Sequence, residues 1–203
     1  MMILINNLTK SYGERELFNN YNLKIEQGEF IVFSGRSGCG KTTLLNMIGA
    51  IEPVDGGTIE VDHIDITKKK NKLNYFRHKI GFLFQNFGLI DNKTVRQNLN
   101  IIRKDCKTEL SIMQALDAVD LGNKIDQKVY TLSGGEQQRV ALARLMLKRC
   151  EIVLADEPTG SLDSTNAQSV MDILHTLNKE GKTIILVTHD ENIKKQGSRV
   201  IDL

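Results

Sequence analysis

The strongest structural signal in this chain is the stretch Gly35-Arg36-Ser37-Gly38-Cys39-Gly40-Lys41-Thr42-Thr43. It matches the pattern G-x-x-x-x-G-K-[ST] of the phosphate-binding loop. An apolar, strand-like run at 30–33 precedes it, and a helix-like run at 42–48 follows it. The glycines let the backbone aim its N–H groups at a polyphosphate, and the positive pole of the following helix adds to that attraction. In this motif Lys41 reaches the β- and γ-phosphates and the Thr42 hydroxyl holds Mg²⁺, so the stretch predicts a nucleotide site.

Composition and charge restrict the remaining possibilities. The 203 residues are 40% hydrophobic and 26% charged, which is ordinary for a globular chain. The formal net charge of +2 is too small to argue for a nucleic-acid binder, so no nucleic-acid partner is expected. The one basic run, 68–72, is interpreted as a solvated loop. No apolar run approaches the roughly 18 to 20 residues that span a bilayer, and the first residues lack the pattern of a signal peptide. We therefore expect a cytoplasmic protein with reduced cysteines, whose membrane role would need other chains.

Hydrophobic periodicity predicts two kinds of sheet and a helical block. Alternating segments lie at 3–8, 17–25 and 58–64, and continuous apolar runs lie at 30–33, 80–84, 152–155 and 183–187. The alternating segments, with a turn at Gly56-Gly57, predict a small antiparallel sheet, whereas the apolar runs predict buried parallel strands of an α/β core. We predict a single domain, 1–203, in which 1–85 and 151–203 form the core and its antiparallel part. The helical pattern at 86–150 is interpreted as an inserted subdomain.

Two acidic residues follow the apolar run Ile152-Val153-Leu154-Ala155. Asp156 and Glu157 therefore lie at the carboxyl end of a predicted strand, the edge where ligands bind in such sheets. Asp156 could hold Mg²⁺ directly or through water, and Glu157 could polarise a water toward the γ-phosphate. A strand that merely ends in solvated acids is the simpler interpretation, but the phosphate-binding loop on the same chain favours the functional one.

The segment Ser133-Gly134-Gly135-Glu136 starts a second helix with a clear cap. Serine followed three residues later by glutamate is the capping box, and the helix N-terminus is a second anion site. One nucleotide does not need two such sites from one subunit, whereas two subunits arranged head to tail would use both. The interpretation as a capped helix and the functional interpretation are compatible.

These motifs together resemble the nucleotide-binding domain of the ATP-binding cassette (ABC) family over the whole chain. The Walker A motif corresponds to 35–42, the signature motif to 132–139 and the Walker B motif to 152–157. Gln85 corresponds to the Q-loop glutamine, Ser161-Leu162-Asp163 to the D-loop, His189 to the switch histidine and Tyr12 to the aromatic residue that stacks on adenine. The resemblance implies a P-loop NTPase core with a small antiparallel β subdomain and an inserted α-helical subdomain. It also implies ATP and Mg²⁺ as ligands.

The resemblance gives single residues specific roles. Tyr12 would stack on adenine, and His189 would contact the γ-phosphate and help Glu157 orient the attacking water. Gln85 would sense Mg²⁺ or water and link the core to the helical subdomain, and Asp163 would couple two sites across a dimer interface. The expected catalytic residues are Glu157, His189, Gln85 and Lys41; the expected metal ligands are Thr42, Gln85 and Asp156; the signature residues expected on the partner's ATP are Ser133, Gly134, Gly135 and Glu136.

The implied mechanism is a pair of cassettes, such as a homodimer, closing around two ATP molecules to drive a separate transmembrane permease. The segments 154–164 and 81–87 are similar to the subgroup that serves macrolide export, lipoprotein release and bacteriocin export. This favours an exporter of peptide, antimicrobial or lipophilic cargo, with the cassette peripheral on the cytoplasmic face of the membrane. The alternative is a nucleotide-gated switch of the cell-division ABC type, which signals through a membrane partner without moving cargo.

Overall fold

Two β-sheets organise the chain in the computed structural model, which describes residues 2–160 and 162–203. The strands are β1 (Met2–Tyr12), β2 (Arg15–Glu26), β3 (Phe30–Ser34), β4 (Gly56–Val61), β5 (Ile64–Asp65), β6 (Ile80–Leu83), β7 (Ile152–Asp156), β8 (Thr183–Val187) and β9 (Arg199–Asp202). The helices are α1 (Lys41–Ile48), α2 (Lys69–His78), α3 (Val95–Leu99), α4 (Ile112–Asp117), α5 (Gly134–Leu147), α6 (Ser164–Lys179) and α7 (Glu191–Lys194). This arrangement has the predicted α/β class.

The larger sheet is parallel, with strand order β6-β7-β8-β3-β9. Strands β3 and β8 are buried along their whole length, because hydrophobic clusters cover both faces of this sheet. The carboxyl ends of parallel strands meet at one edge. The phosphate-binding loop after β3, Asp156 at the end of β7 and His189 just after β8 therefore share that edge.

The smaller sheet is antiparallel, with strand order β2-β1-β4-β5. The prediction of one strand over 58–64 is wrong, because Asp62 and His63 adopt positive φ and turn the chain from β4 into β5. The turn expected at Gly56-Gly57 is also wrong, because both glycines belong to β4. A Cβ on Gly57 would lie 2.4 Å from the carbonyl oxygen of Asn7, so the glycine there allows close strand pairing.

The basic run 68–72 is not a loop. Its residues from Lys69 onward form the start of α2, where no acidic side chain marks the first turn. The helix is held by its other face, on which Tyr75 is buried and donates a hydrogen bond from its hydroxyl to the carbonyl oxygen of Ile48 at 2.9 Å. Tertiary packing thus determines this helix, and the charge run alone could not indicate it.

Helices α3, α4 and α5 lie between β6 and β7 and carry much of one hydrophobic cluster. The predicted capping box of α5 is confirmed, because the Ser133 Oγ accepts from the Glu136 N–H at 3.3 Å and the Glu136 Oε2 accepts from the Ser133 N–H at 3.0 Å. The division of the chain into a core and a subdomain at 86–150 stays a prediction. Within 2–160 and 162–203, each helix is too short or too polar to span a bilayer.

Candidate functional site

A cavity of about 650 Å³ opens at the carboxyl edge of the parallel sheet. It brings together most of the residues that the sequence singled out, although they are far apart along the chain. Its lining includes Ser37, Gly38, Gly40, Lys41, Thr42, Thr43, Gln85, Glu157 and His189. Gly35, Arg36 and Cys39 belong to the same loop but are not part of this lining.

The phosphate-binding loop is closed on itself by Lys41. This side chain is only 5% exposed, and its Nζ donates to the carbonyl oxygens of Gly35 and Arg36, each at 2.9 Å. A buried ammonium needs such acceptors, and phosphate oxygens would satisfy it in the same way. Gly40 precedes α1 with φ of +107°, and a Cβ there would lie 2.9 Å from the ring of Phe18.

Thr42 lines the cavity and contacts Asp156, which lies just outside the lining. The Thr42 hydroxyl donates to the Asp156 Oδ1 at 3.0 Å, which joins α1 to the end of β7. Burial raises the pKa of the Asp156 carboxyl above its ordinary value, and the Thr42 hydrogen bond opposes that shift. A hydroxyl and a carboxylate this close are the hard oxygen ligands that Mg²⁺ prefers, so the residues present fit that ion.

Glu157 is held in an unusual backbone conformation, with φ of +44°. Its N–H donates to the carbonyl oxygen of Val187 at 3.0 Å, which holds the turn after β7 against β8. The His189 Nε2 lies 3.2 Å from the Glu157 Oε1, and the His189 N–H donates to Oε2 at 3.4 Å. Oε1 is nevertheless buried without a well-directed hydrogen bond among the described residues. Burial raises the pKa of Glu157, and the neighbouring His189 opposes that rise.

Other predicted positions also lie outside the cavity lining, among them Asp156, Gly135 and Glu136. Tyr12 ends β1 with half of its surface exposed, and the Lys10 Nζ is 4.9 Å from the centre of its ring. Ser133 is exposed at the start of α5, together with Gly134. Asp163 caps α6 by accepting from the Asn166 N–H at 2.9 Å. Ser161 of the predicted D-loop lies outside the described residues.

The structure adds residues that the motifs did not indicate. Thr159, Gly160, Thr188 and Asp190 line the cavity because they border the turns after β7 and β8, and Leu162 of the predicted D-loop lines it as well. Arg15 donates from its Nη2 to the carbonyl oxygen of Gly38 at 2.7 Å and so braces the phosphate-binding loop from β2. No local pattern marks Arg15, since only the fold brings it to the loop.

A family profile described as "ABC transporter" matches residues 18–160. The chain belongs to the ABC transporter family. Its predicted resemblance to that family, its P-loop fold and its assignment as an ATPase are thereby confirmed. As an ABC ATPase domain it binds ATP and catalyses its hydrolysis.

Similar proteins extend this assignment over the whole cassette. The chain is 41% identical over its full length to the "Macrolide export ATP-binding/permease protein MacB" of Campylobacter jejuni subsp. jejuni serotype O:23/36 (strain 81-176), and it spans about a third of that protein. It is 38% identical to the "Glutamine transport ATP-binding protein GlnQ" of Bacillus subtilis (strain 168), covering 96% of this chain and 83% of the relative. The solved ATP-binding cassette MJ0796, a dimer in a post-hydrolysis state bound to ADP and Pi, superposes with a TM-score of 0.88 at 36% identity, covering 99% of this chain and 94% of that one.

Cys39 gives a chemical probe of ATP in this cassette. Its thiol is partly exposed and lies 3.7 Å from the Lys41 Nζ, whereas Cys106 and Cys150 are 3% and 4% exposed. We expect Mg-ATP to slow alkylation of Cys39 by N-ethylmaleimide at least tenfold, because bound phosphates would cover the loop. Mass spectrometry of the labelled peptide measures the rate, with Cys39→Ala as the control for reaction elsewhere. Equal rates with and without Mg-ATP would contradict the expectation.

Proposed function

We propose that this chain is the ATPase part of an ABC transporter in which two copies close around two ATP molecules and drive a membrane permease. One observation carries the proposal. The phosphate-binding loop, Gln85, Glu157 and His189 share one cavity, whereas Ser133 is exposed outside it. The capped start of α5 is therefore an anion site available to the ATP of a second copy. The dimeric state of the cassette MJ0796 supports the same arrangement.

Within each site, Glu157 would act as the general base. Its carboxylate lies at the cavity, where a water that donates to it would stand between Glu157 and the γ-phosphate. His189 lies against the same carboxylate and would hold it and the γ-phosphate in line. Lys41 would exchange its bonds to the loop carbonyls for bonds to the β- and γ-phosphates.

The oxygen atoms of Thr42 and Asp156 would hold Mg²⁺, with Gln85 as a third group at the cavity wall. When bound, this ion neutralises charge that develops on the phosphate oxygens. Thr42 belongs to α1 and Asp156 to β7, so the bound metal would lie between these two elements. Gln85 lies in the coil that follows β6. Its position would depend on the metal or water in the site, and a shift of this coil would move the helical segment that follows it.

Closure would follow from the γ-phosphate, which contacts the loop of one copy and the start of α5 of the other. ATP would then favour the closed pair more than ADP does, and hydrolysis would reopen it. Asp163 would lie at the interface and couple the two sites. Closing and reopening of the pair would drive conformational changes in a membrane permease. Binding to this permease would hold the chain at the cytoplasmic face of the membrane.

Export is the direction we propose, with peptide, antimicrobial or lipophilic cargo. The name of MacB supports it, because that relative is a macrolide export protein that includes a permease. The name of GlnQ refers to glutamine transport, and its identity to this chain is similar. Identity of the cassette alone therefore does not decide cargo, which the permease would select.

Isolation of the chain from membranes in Mg-ATP tests the proposal. We expect a permease to be isolated with it, ATP turnover to require Mg²⁺, and cargo to stimulate turnover in reconstituted vesicles. Turnover that controls a membrane partner while no cargo moves would favour the switch instead. Recovery without any membrane partner would contradict both forms of the proposal.

Tyr12 tests where the base of ATP lies. Tyr12→Ala should weaken ATP binding to the single chain about fivefold to a hundredfold, the scale of losing one base–aromatic stack. Tyr12→Phe keeps the ring and should bind ATP as the unchanged chain does. Inorganic triphosphate should bind Tyr12→Ala normally, because it has no base to stack. Calorimetric titration measures these affinities.

Tyr130 is the matched control for Tyr12. It is 62% exposed, and the Lys128 Nζ lies 5.8 Å from the centre of its ring, so its surroundings resemble those of Tyr12. Like Tyr12 it lies outside the cavity lining, but the predicted adenine contact does not include it. Tyr130→Ala should leave ATP affinity unchanged. An equal loss in Tyr12→Ala and Tyr130→Ala, or no loss in Tyr12→Ala, would show that Tyr12 does not stack on the base.

A further inference from the structure

Helix α5 carries two arginines that reach two different loops of the nucleotide site. Arg139 and Arg144 are five positions apart, which at 3.6 residues per turn places them about 140° apart around the helix axis. They therefore project toward different sides of the same helix. The predicted signature residue Ser133 caps the start of this helix.

Arg144 holds the loop that follows Gln85. Its Nη1 donates to the carbonyl oxygen of Gly88 at 2.5 Å, and its Nη2 donates to that of Phe87 at 2.9 Å. Both residues have positive φ, +62° at Phe87 and +57° at Gly88, so the loop makes a sharp reversal just where the guanidinium grips it. Two donors in a rigid fork fix the orientation of such a turn better than a single bond would.

Arg139 holds the segment at the start of α6. Its Nη1 donates to the Asn166 Oδ1, and the Asn166 Nδ2 donates to the Asp163 Oδ2 at 2.5 Å. The Arg139 Nε is buried with no hydrogen-bond partner among the described residues, so Asn166 is the polar contact that holds this side chain. The Asn166 side chain thus links α5 to Asp163.

The glycines at the start of α5 are close to the same two loops. A Cβ on Gly134 would lie 3.9 Å from the ring of Phe87, and a Cβ on Gly135 would lie 3.6 Å from the Leu162 side chain. Leu162 also lines the nucleotide cavity, as does Gln85. The start of α5 is therefore in contact with both loops, and the arginines fasten it to them.

We propose that Arg144 and the Arg139–Asn166 pair are positioning groups that fasten the loops at 85–88 and 162–166 to α5, so that these three parts move as one body. The inference rests on the proposed function, because a joint movement of these parts affects turnover only if Ser133 acts on the ATP of a second copy. A shift of Gln85 in response to the γ-phosphate then displaces Ser133 and Asp163 together. Neither arginine lines the cavity, so both act through the loops that they hold.

The test uses Arg144→Met and Asn166→Leu in the full chain. Each variant should lower kcat about ten- to a hundredfold, the scale of misplacing a reacting group by about 1 Å. The KM for ATP and the affinity of the single chain for ATP should stay within twofold, because the phosphate-binding loop is untouched. Thermal unfolding checks that each variant is folded, and Arg144→Lys, which keeps the charge but not the fork, replaces Arg144→Met if that variant does not fold.

Two double-variant comparisons separate positioning from general damage. Arg144→Met should not lower kcat further when Gln85→Ala is already present, because the group it positions is gone. Asn166→Leu should likewise add nothing to Asp163→Ala. Losses that multiply in both backgrounds would overturn the inference, as would native kcat in both single variants.

Two surface positions, one just after α5 and one on α6, serve as controls. Arg149 follows α5 and is 3.8 Å from Glu109 at the surface, and Gln168 on α6 donates to the Asp172 Oδ1 at 2.8 Å. Arg149→Met and Gln168→Leu should keep native kcat, and a matching loss in them would overturn the inference. Failure of the proposed function itself is recognised separately, because the Glu157→Gln chain would then form no ATP-dependent dimer whatever Arg144 and Asn166 do.

Discussion

Glu157→Gln is expected to lower ATP turnover about 100- to 10,000-fold, the usual contribution of a general base. Glutamine has nearly the same shape, so the turn after β7 and the approach to His189 should remain, but its amide cannot take a proton from water. ATP should still bind, and it should hold two chains together because the γ-phosphate is not removed. Phosphate release measures the first effect, and light scattering with and without Mg-ATP measures the second.

Glu151→Gln is the matched control at the opposite end of β7. Glu151 comes directly before β7 and Glu157 directly after it, so the two changes act at opposite ends of one element. Both Glu151 carboxylate oxygens accept from the Lys79 Nζ at 2.8 Å, in an exposed pair worth about 0–1 kcal/mol. Turnover should therefore be native in Glu151→Gln. Native turnover in Glu157→Gln would show that another group activates the water.

Ser133→Arg is expected to abolish ATP-driven dimerisation while a single chain still binds ATP. Turnover should fall by about the same factor as in Glu157→Gln. The serine is exposed at the start of α5, where the proposal places the γ-phosphate of the partner copy. A long side chain would fill that space, and the hydroxyl that accepts from the Glu136 N–H at 3.3 Å would be lost. Light scattering in the Glu157→Gln background gives the clearest measurement, because the dimer should be stable there.

Ser111→Arg separates this effect from loss of a helix cap. Ser111 caps α4 with the same box, and its Oγ accepts from the Gln114 N–H at 3.2 Å. Both substitutions remove a serine cap worth about 1 kcal/mol and add one positive charge. Ser111→Arg should therefore dimerise and hydrolyse ATP as the unchanged chain does. A dimer that persists in Ser133→Arg would refute the shared site.

The elements predicted correctly are those whose signals are local. The phosphate-binding loop, the capping box at Ser133 and the buried strand before Asp156 each depend on neighbours within a few residues. The failures are those where a distant contact decides. Helix α2 forms because Tyr75 packs under Ile48, and the strand expected at 58–64 is split because Asp62 and His63 turn into β5.

The order of the motifs and the prediction of a nucleotide site come from the sequence alone, because the glycine, lysine and carboxylate groups that a phosphate and a metal require occur in short local patterns. Which of these groups meet depends on contacts that exist only in the folded chain. Parallel strands bring Glu157 and His189 to one edge across 32 positions. The same folding leaves Ser133 outside the cavity that Lys41 lines, and it lets Arg144 grip the carbonyls at 87 and 88. These are contacts between residues far apart in sequence, which no local pattern can contain.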